Sequence, residues 1–289
     1  MIEGAACAAQ VKAWQGRMEQ ALAERLPATD IEPTRLHAAM RYCVLNGGQR
    51  VRPLLLFGTA RAVGLSETDV EAAACAIELA HAYSSVHDDL PALDDDAVRR
   101  GRPSCHEAYD EGTAVLVGDA LQSLAFQLLA SDAALPAAPL VRLQLIGLLA
   151  EAIGASGLAG GQAIDVAAQG RPLSVPDLDA MYVRRTGALI RASVLMAAAC
   201  APQAAGHLHE ALTAFAAPLG LAVQIQHDLA EASHGAPHGR ATYAATLGPD
   251  LSQERIRQLQ TQALEALRPL GTAADPLRAL AQWLLLPAD

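Results

Sequence analysis

The stretch His81-Ala-Tyr-Ser-Ser-Val-His-Asp88-Asp89-Leu-Pro-Ala-Leu-Asp94-Asp95-Asp96, followed directly by Arg99-Arg100-Gly101-Arg102-Pro103, organises the rest of this chain. Upstream of it, Ser66-Glu-Thr-Asp69 is typical of a helix N-terminus, because a capping Ser is followed three residues later by an acid. Apolar residues then recur at helical spacing. The pattern predicts a helix that begins after Ser66 and ends within the acidic cluster.

These acids lie where a helix disfavours them. Carboxylates at a helix C-terminus oppose the macrodipole, at a cost of about 0.3–1 kcal/mol each when they are exposed. A divalent cation removes this conflict, because Mg²⁺ binds one or two carboxylates and completes its shell with water and phosphate oxygens. The arginines that follow suit an anionic ligand such as a diphosphate. An acidic run can also be a plain solvated helix end, and for the acids at 94–96 alone that interpretation stays open.

The composition favours a helical fold. Apolar residues make up 52% of the 289 residues and aromatic residues only 3%, so the core must be built from Ala, Leu and Val. Such a core suits closely packed helices better than a β-sandwich. We expect one all-α domain over residues 1–289, with helical segments that include 5–26, 33–45, 54–63, 107–130 and 140–168. The net charge of −10 argues against nucleic-acid binding.

The cysteines are scattered and odd in number, and none of them forms a Cys-x-x-Cys pair. They are Cys7, Cys43, Cys75, Cys105 and Cys200. This spacing argues against a disulfide framework or a zinc site and favours a reducing compartment. The sequence shows neither a start typical of a signal peptide nor a run of eighteen apolar residues. We therefore expect a cytoplasmic protein without membrane insertion.

The segment Asp88-Asp89-Leu-Pro-Ala-Leu-Asp94, with the following Arg99-Arg100-Gly-Arg-Pro-Ser-Cys-His106, closely resembles the first aspartate-rich motif of the trans-polyprenyl diphosphate synthases. The match is to the bacterial branch of farnesyl and geranyl diphosphate synthases, which carries two extra residues in this motif. The resemblance extends over nearly the whole chain. It implies the isoprenoid-synthase fold, a single-domain helical bundle around a deep central cavity.

The resemblance also implies an activity. It predicts a Mg²⁺-dependent prenyltransferase that condenses an allylic diphosphate with isopentenyl diphosphate to a short-chain product of ten to fifteen carbons. Two to three Mg²⁺ ions are expected, with Asp88, Asp89 and Asp94 as the metal residues of the first motif. Asp89 is expected to orient its neighbours more than to bind metal directly. The implied partners are isoprenoid diphosphates and a second copy of the chain in a homodimer.

Asn46-Gly-Gly-Gln49-Arg-Val-Arg52-Pro resembles the family's G-G-K-R-x-R-P motif, with Gln49 in the position of the lysine. The resemblance assigns the diphosphate of the second substrate to Gln49, Arg52, His81 and Arg100. Taken alone, paired glycines followed by arginines are equally typical of an ordinary junction between two helices.

Two further segments resemble family motifs around the first substrate. Arg185-Thr186-Gly-Ala-Leu-Ile-Arg-Ala matches K-T-G-A-L-I-R-A, with Arg185 in place of the lysine that neutralises the allylic diphosphate. Gly161-Gln162-Ala-Ile-Asp165 matches G-Q-x-x-D, although its glycines can equally serve tight helix packing. The residues expected around the first substrate are Arg99, Gln162, Asp165, Arg185, Thr186 and Gln224.

Gln224-Ile-Gln-His227-Asp228-Leu-Ala-Glu231 corresponds to the family's second aspartate-rich motif, Q-I-Q-D-D-x-x-D. The resemblance assigns Asp228 and Glu231 to a metal, but His227 replaces the first aspartate. Imidazole is a poor ligand for Mg²⁺ and a good one for softer ions, so we expect an impaired third Mg²⁺ site. Arg240 stands in for a lysine in the loop that follows.

Product length in the family is limited along the helix before the first motif, where Tyr83 and Ser84 lie. Tyr83 can equally be a core aromatic. The exchanges at Gln49, His227 and Glu231 leave two alternatives to chain elongation open. One is a family member that ionises and cyclises a prenyl diphosphate, as terpene synthases do. The other is a non-catalytic partner subunit.

Overall fold

The computed structural model describes residues 4–201, 206–233 and 241–286, and these residues are almost entirely helical. The all-α fold class predicted from the sequence is therefore confirmed. The α-helices, in chain order, are α1 (Gly4–Arg25), α2 (Thr34–Val44), α3 (Val51–Ala62), α4 (Glu67–Asp88), α5 (Cys105–Ala108), α6 (Glu111–Ser131), α7 (Pro139–Ile153), α8 (Leu158–Ala168), α9 (Val175–Tyr182), α10 (Ala188–Ala199), α11 (Gly206–Ser233), α12 (Tyr243–Leu247), α13 (Pro249–Ala266) and α14 (Asp275–Leu284).

Three shorter elements complete the fold. The strands β1 (Val98–Arg99) and β2 (Arg102–Pro103) form an antiparallel hairpin directly after the acidic cluster. A π-helical turn (Val183–Gly187) joins α9 to α10, and a 3₁₀ segment (Arg268–Ala274) precedes α14. The hairpin was not predicted, because two-residue strands lack a measurable periodicity.

Helix α4 lies within the bundle and packs against α1, α2, α3, α6, α7 and α10. Ser66 and Asp69 form the predicted capping box, in which the Ser66 amide donates to Asp69 Oδ2 over 2.9 Å. Most residues along the helix are fully buried, and many of them are alanines, which let the neighbouring helices approach closely. The helix ends at Asp88, so the predicted placement of the acidic cluster is confirmed.

Two predicted helices are interrupted. The segment 107–130 divides into α5 and α6, because the Asp110 side chain caps α6 by accepting from the Thr113 amide over 2.6 Å. The segment 140–168 divides between α7 and α8, at the glycines Gly154 and Gly157. A side chain at Gly157 would meet the backbone carbonyl of Ala152 at 2.2 Å, so this turn requires glycine.

Close packing of α8 positions the π-helical turn. A Cβ atom at Gly161 would lie 2.4 Å from the Arg185 backbone nitrogen and 2.7 Å from its Cα atom. From the other side, a Cβ atom at Gly220 of α11 would lie 2.9 Å from the Cα atom of Gly187. Glycines on two helices therefore allow direct backbone contact with the segment that carries Arg185.

Among the described residues, three stretches are long and apolar enough to cross a membrane on length and composition alone, namely 111–131, 139–168 and 208–232. Within the protein, 39%, 33% and 50% of these stretches are buried. The second stretch includes the interruption between α7 and α8 and is not a continuous helix. The absence of membrane insertion stays a prediction.

We predict that Gly161→Ala destabilises the protein by about 2 kcal/mol or more, because its methyl group would push the Arg185 backbone away from α8. Gly16→Ala is the matched control: Gly16 lies exposed inside α1, and the added Cβ would meet no atom from outside its own stretch of helix within 4 Å. Alanine should stabilise that position by up to about 1 kcal/mol. Urea denaturation followed by circular dichroism measures both. Equal effects of the two substitutions would contradict the packing argument.

Candidate active site

The turn after α4 folds the second part of the acidic motif back onto the first. The Asp94 amide donates to the Asp88 carbonyl over 2.9 Å, and the Asp96 amide donates to the Asp89 carbonyl over 3.1 Å. Asp95 has a φ of 53°, a left-handed conformation that Asp tolerates better than most residues. The turn thus brings the Asp88 and Asp94 side chains to one guanidinium.

That guanidinium belongs to Arg185. Its Nη2 atom lies 3.0 Å from Asp94 Oδ2 and 3.9 Å from Asp88 Oδ2, while Nη1 donates to Asp165. Arg185, on the π-helical turn, therefore faces three carboxylates: two from the acidic motif after α4 and one from α8. Burial raises the pKa of Asp88 to about 6, Arg185 opposes this rise, and the neighbouring Asp94 adds to it.

This first cluster fits a hard divalent cation. Asp88 and Asp94 offer carboxylate oxygens, the ligands that Mg²⁺ prefers. The raised pKa of Asp88 shows that its ionised form lacks compensation for burial, and a cation would supply that compensation. Both side chains are largely buried, at 20% and 9% exposure, so neither points into bulk solvent.

Asp89 pairs with Arg99 rather than with Arg185. Arg99 Nε donates to both of its carboxylate oxygens, over 3.0 and 3.2 Å, and Arg99 Nη2 also lies 3.5 Å from Asp96. Asp89 is 3% exposed. This geometry suits the expected orienting role of Asp89, whereas its role as a metal ligand stays a prediction. Arg99 contacts these acids rather than the pair around Arg185.

An arginine-lined cavity of about 40 Å³ lies beside Asp89, next to the acidic cluster. Its lining includes Arg50, His81, Arg99 and Arg100, and the Arg100 guanidinium donates to the Gly47 carbonyl. Burial and the surrounding arginines hold the pKa of His81 well below its usual range, so His81 is neutral at physiological pH. A cavity with several guanidiniums suits a diphosphate.

Arg52 lies next to this group. Burial lowers the pKa of Arg52 to about 10, an effect that Glu78 opposes and Arg100 increases. Its Nε atom is buried without a hydrogen-bond partner in the described part of the chain. A buried guanidinium donor without a partner is costly and is readily satisfied by an anion. Gln49, in contrast, is exposed at the surface.

The sequence reasoning missed Glu78. Arg50 is buried, and its guanidinium pairs with Glu78 over 2.7 Å and with Glu19 over 2.8 Å. Arg50 therefore fixes the loop before α3 to α1 and α4. The signal was present: Glu78 is an acid in the alanine-rich, buried stretch of α4, three residues before His81. A buried carboxylate of this kind requires a cationic partner.

The second motif has a different arrangement from the first. Asp228 is 3% exposed, and both of its carboxylate oxygens accept hydrogen bonds from the protein. Tyr182 donates to Oδ2 over 2.7 Å, as does the Tyr243 amide over 3.2 Å, and Gln224 donates to Oδ1 over 2.8 Å. Thr186 donates to Gln224 and connects this network to the π-helical turn.

His227 and Glu231 lie on the exposed side of the same helix. His227 Nδ1 is 3.5 Å from Glu231 Oε1, and candidate ligand atoms of His227, Asp228 and Glu231 lie within 4.8 Å of one another. Both Asp228 oxygens already accept hydrogen bonds from the protein, so the exposed donors of the set are one imidazole and the Glu231 carboxylate. This donor set fits Mg²⁺ poorly.

Other predicted site residues have clear positions. Gln162 is 7% exposed, and neither of its amide atoms has a partner among the described residues, so it is a polar group available to a ligand.

Tyr83 is buried with its ring 5.9 Å from the His87 ring, and the Ser84 hydroxyl donates to the His81 carbonyl. The roles of both in product length stay predictions. Arg240 lies outside the described residues.

An all-helical bundle with an acidic cluster next to an arginine-lined cavity is typical of helical isoprenoid synthases. The profile of the polyprenyl synthetase family matches residues 33–269. The chain therefore belongs to the polyprenyl synthetase family, as the motif resemblance predicted.

Individual relatives resemble the chain over nearly its full length. Farnesyl diphosphate synthase of Escherichia coli (strain K12) is 37% identical, over 96% of this chain and 97% of the relative. The solved apo structure of an FPP/GFPP synthase from Zymomonas mobilis has a TM-score of 0.90 at 36% identity, over 98% of this chain and 100% of the other. A geranyltransferase from Legionella pneumophila has a TM-score of 0.89 at 29% identity, over 98% of both chains.

We predict that Asp88→Asn stabilises the metal-free protein at pH 8 by about 1–3 kcal/mol. The folded-state pKa of about 6 lies above the usual aspartate pKa of 3.8, so ionisation at Asp88 opposes folding. Its cost is absent below pH 4, grows between pH 4 and 6, and is complete above pH 6. Asparagine avoids the cost, and its advantage should therefore disappear towards pH 4.

Thermal unfolding in the presence of a chelator, from pH 4 to pH 8, measures this effect. Asp95→Asn is the control, because Asp95 is exposed and Asn tolerates its left-handed backbone. An advantage of Asp88→Asn that does not change with pH would contradict the assigned cause.

Proposed function

We propose that this chain condenses an allylic diphosphate with isopentenyl diphosphate, in the presence of Mg²⁺, to a prenyl diphosphate of ten to fifteen carbons. The observation that carries the proposal is the convergence of Asp88, Asp94 and Arg185 beside a separate arginine-lined cavity. Two diphosphates must be bound at once in such a reaction, and the protein offers two adjacent sites of suitable chemistry. The full-length similarity to farnesyl diphosphate synthases supports the same conclusion.

The first substrate is expected at the acidic cluster. A divalent cation held by Asp88 and Asp94 would supply the charge that stabilises the leaving diphosphate. Arg185 provides a fixed cation at the same point, and the Thr186–Gln224 pair places further hydrogen-bonding groups beside it. Because these groups are preorganised by packing, they can stabilise the developing negative charge without reorganising during the reaction. The number and identity of the ions are part of this proposal.

The second substrate is expected in the arginine-lined cavity, with its diphosphate held by Arg52 and Arg100. His81 is neutral there and acts as a hydrogen-bonding group rather than a cation. The double bond of this substrate attacks the allylic carbocation, and the proton that is lost passes to the departing diphosphate. Burial of the acidic cluster limits the access of water, which would otherwise capture the cation.

A second candidate function rests on the altered second motif. With His227 exposed and the Asp228 oxygens already occupied, the protein can keep the ionising half of the site while losing elongation. Such a protein would convert an allylic diphosphate alone into a rearranged or cyclised hydrocarbon. The buried, unpaired donor of Arg52 favours elongation, because only elongation uses a second diphosphate.

The decisive experiment incubates the purified protein with Mg²⁺ and geranyl diphosphate, with and without isopentenyl diphosphate. We expect a fifteen-carbon diphosphate only when both substrates are present, detected by mass spectrometry after phosphatase treatment. Asp94→Asn should reduce the rate roughly 100-fold or more, because it removes a negative metal ligand. Asp95→Asn should leave the rate unchanged. Product from geranyl diphosphate alone would support the second candidate instead.

We predict that His227→Asp tightens Mg²⁺ binding to the complex with pyrophosphate, because it restores a hard oxygen ligand beside Glu231. The effect should be about tenfold in the apparent dissociation constant, measured by titration calorimetry. His209→Asp adds the same charge on an exposed site of the same helix and serves as the control. If both variants bind Mg²⁺ like the parent protein, the second motif does not contribute to metal binding.

We also propose that the chain forms a homodimer through α6 and α7, which pack against each other. Their outer faces expose large apolar side chains, among them Leu116, Leu140 and Leu143, at 57%, 80% and 63% exposure. Apolar groups concentrated in this way mark protein interfaces. Sedimentation velocity should therefore give the mass of a dimer, and Leu143→Glu should shift it towards the monomer. Leu251→Glu, at an equally exposed leucine on α13, should not.

A further inference from the structure

Two thiols lie on the wall of the arginine-lined cavity. Cys43 comes from α2 and Cys105 from α5, and both line the cavity with Arg99, Arg100 and His81. Cys105 is 3% exposed, Cys43 is half-buried, and both are free thiols. The sequence contains no Cys-x-x-Cys pattern here, so the fold alone brings them together.

The segments that carry the two thiols are fixed to each other. The Tyr42 hydroxyl donates to the Pro103 carbonyl over 2.7 Å, and the Arg102 guanidinium lies 4.2 Å from the centre of the Tyr42 ring. One helical turn later, the Asn46 side chain donates to the Arg99 carbonyl over 3.4 Å. These contacts hold the end of α2 against the hairpin and the start of α5, directly beside the thiols.

The two thiols are chemically unequal. A hydrogen bond between them lowers the pKa of Cys105 and raises that of Cys43. Burial raises the pKa of the other three thiols, Cys7, Cys75 and Cys200. Two thiols that lie beside each other on the wall of one cavity can be oxidised to a disulfide by a small oxidant that enters the cavity.

We propose that Cys43 and Cys105 are a peroxide-sensitive modification site, and that their disulfide prevents diphosphate binding in the arginine-lined cavity. The effect on binding rests on the proposed function of that cavity, whereas formation of the disulfide does not. Hydrogen peroxide is small enough for a cavity of this size. The end of α2 leads into the loop that carries Arg50 and then into the first turn of α3, which carries Arg52, so a bond to α5 constrains both.

The reaction balances in two steps. The Cys105 thiolate attacks one oxygen of hydrogen peroxide, the O–O bond breaks, and the released hydroxide takes a proton to form water. The resulting sulfenic acid then reacts with the Cys43 thiol, which displaces a second water and forms the S–S bond. Overall, two thiols and one peroxide give one disulfide and two waters. A thiol reductant such as dithiothreitol reverses the change.

The test treats the reduced full-length protein with a small excess of hydrogen peroxide and measures it by intact mass spectrometry and non-reducing peptide mapping. We expect the loss of two hydrogens and a single cross-linked peptide pair that contains Cys43 and Cys105. Titration calorimetry with inorganic pyrophosphate, without divalent ions, should then show affinity weakened roughly tenfold or more relative to the reduced protein. Dithiothreitol should restore both the mass and the affinity.

Cys43→Ser should not form the cross-link, and its pyrophosphate affinity should be the same before and after treatment, whatever its value. Cys200→Ser, at another half-buried thiol, should respond to treatment like the parent protein. Added oxygen atoms on Cys105 without a cross-link would overturn the proposal. So would a complete cross-link with unchanged pyrophosphate affinity. If the reduced protein binds no pyrophosphate, the function proposed for the cavity is wrong, and the mass spectrum still decides separately whether the disulfide forms.

Discussion

The shared use of one guanidinium by three carboxylates is the interaction on which the rest of the site depends. Arg185 reaches Asp88, Asp94 and Asp165 because the π-helical turn places it on the inside, where α8 and α11 approach its backbone without side chains in between. The arrangement places three carboxylates around one guanidinium, so negative charge exceeds positive charge there. Burial raises the pKa of Asp88 even with this guanidinium present, so the cluster favours additional positive charge.

The two aspartate-rich motifs differ in the partners of their carboxylates. In the first, Asp88 and Asp94 face the Arg185 guanidinium, and burial still raises the pKa of Asp88. In the second, the remaining aspartate, Asp228, is used within the protein: Tyr182, Tyr243 and Gln224 all donate to it. Asp228 thereby fixes α11 to the end of α9 and to α12. The exchange of its neighbour to His227 therefore alters the metal chemistry of this helix without removing the carboxylate that holds the helix in place.

The helical class, the bounds of α4 and the positions of the motifs could be predicted from the sequence, because they depend on local periodicity and helix caps. Ser66 and Asp69 form the box that their spacing predicts, and the glycines near Gln162 lie where close approach is required. Contacts between distant segments could not be derived in this way. The pairing of Arg50 with Glu78, the three-carboxylate contact of Arg185 and the proximity of Cys43 to Cys105 all depend on how helices pack.

The same packing bears on the diphosphate site proposed for the arginine-lined cavity, near which Gln49 replaces the family's lysine. Arg50, Arg99 and Arg100 already lie around His81, and together with Arg52 they keep this imidazole neutral. Burial lowers the pKa of Arg52 itself, and Arg100 lowers it further, so positive charge here is crowded rather than scarce. A lysine at position 49 would add to that repulsion in the absence of substrate. If the cavity binds a diphosphate as proposed, we expect the exchange to Gln49 to cost less affinity than the loss of a full charge suggests, because a bound diphosphate would stabilise the remaining guanidiniums.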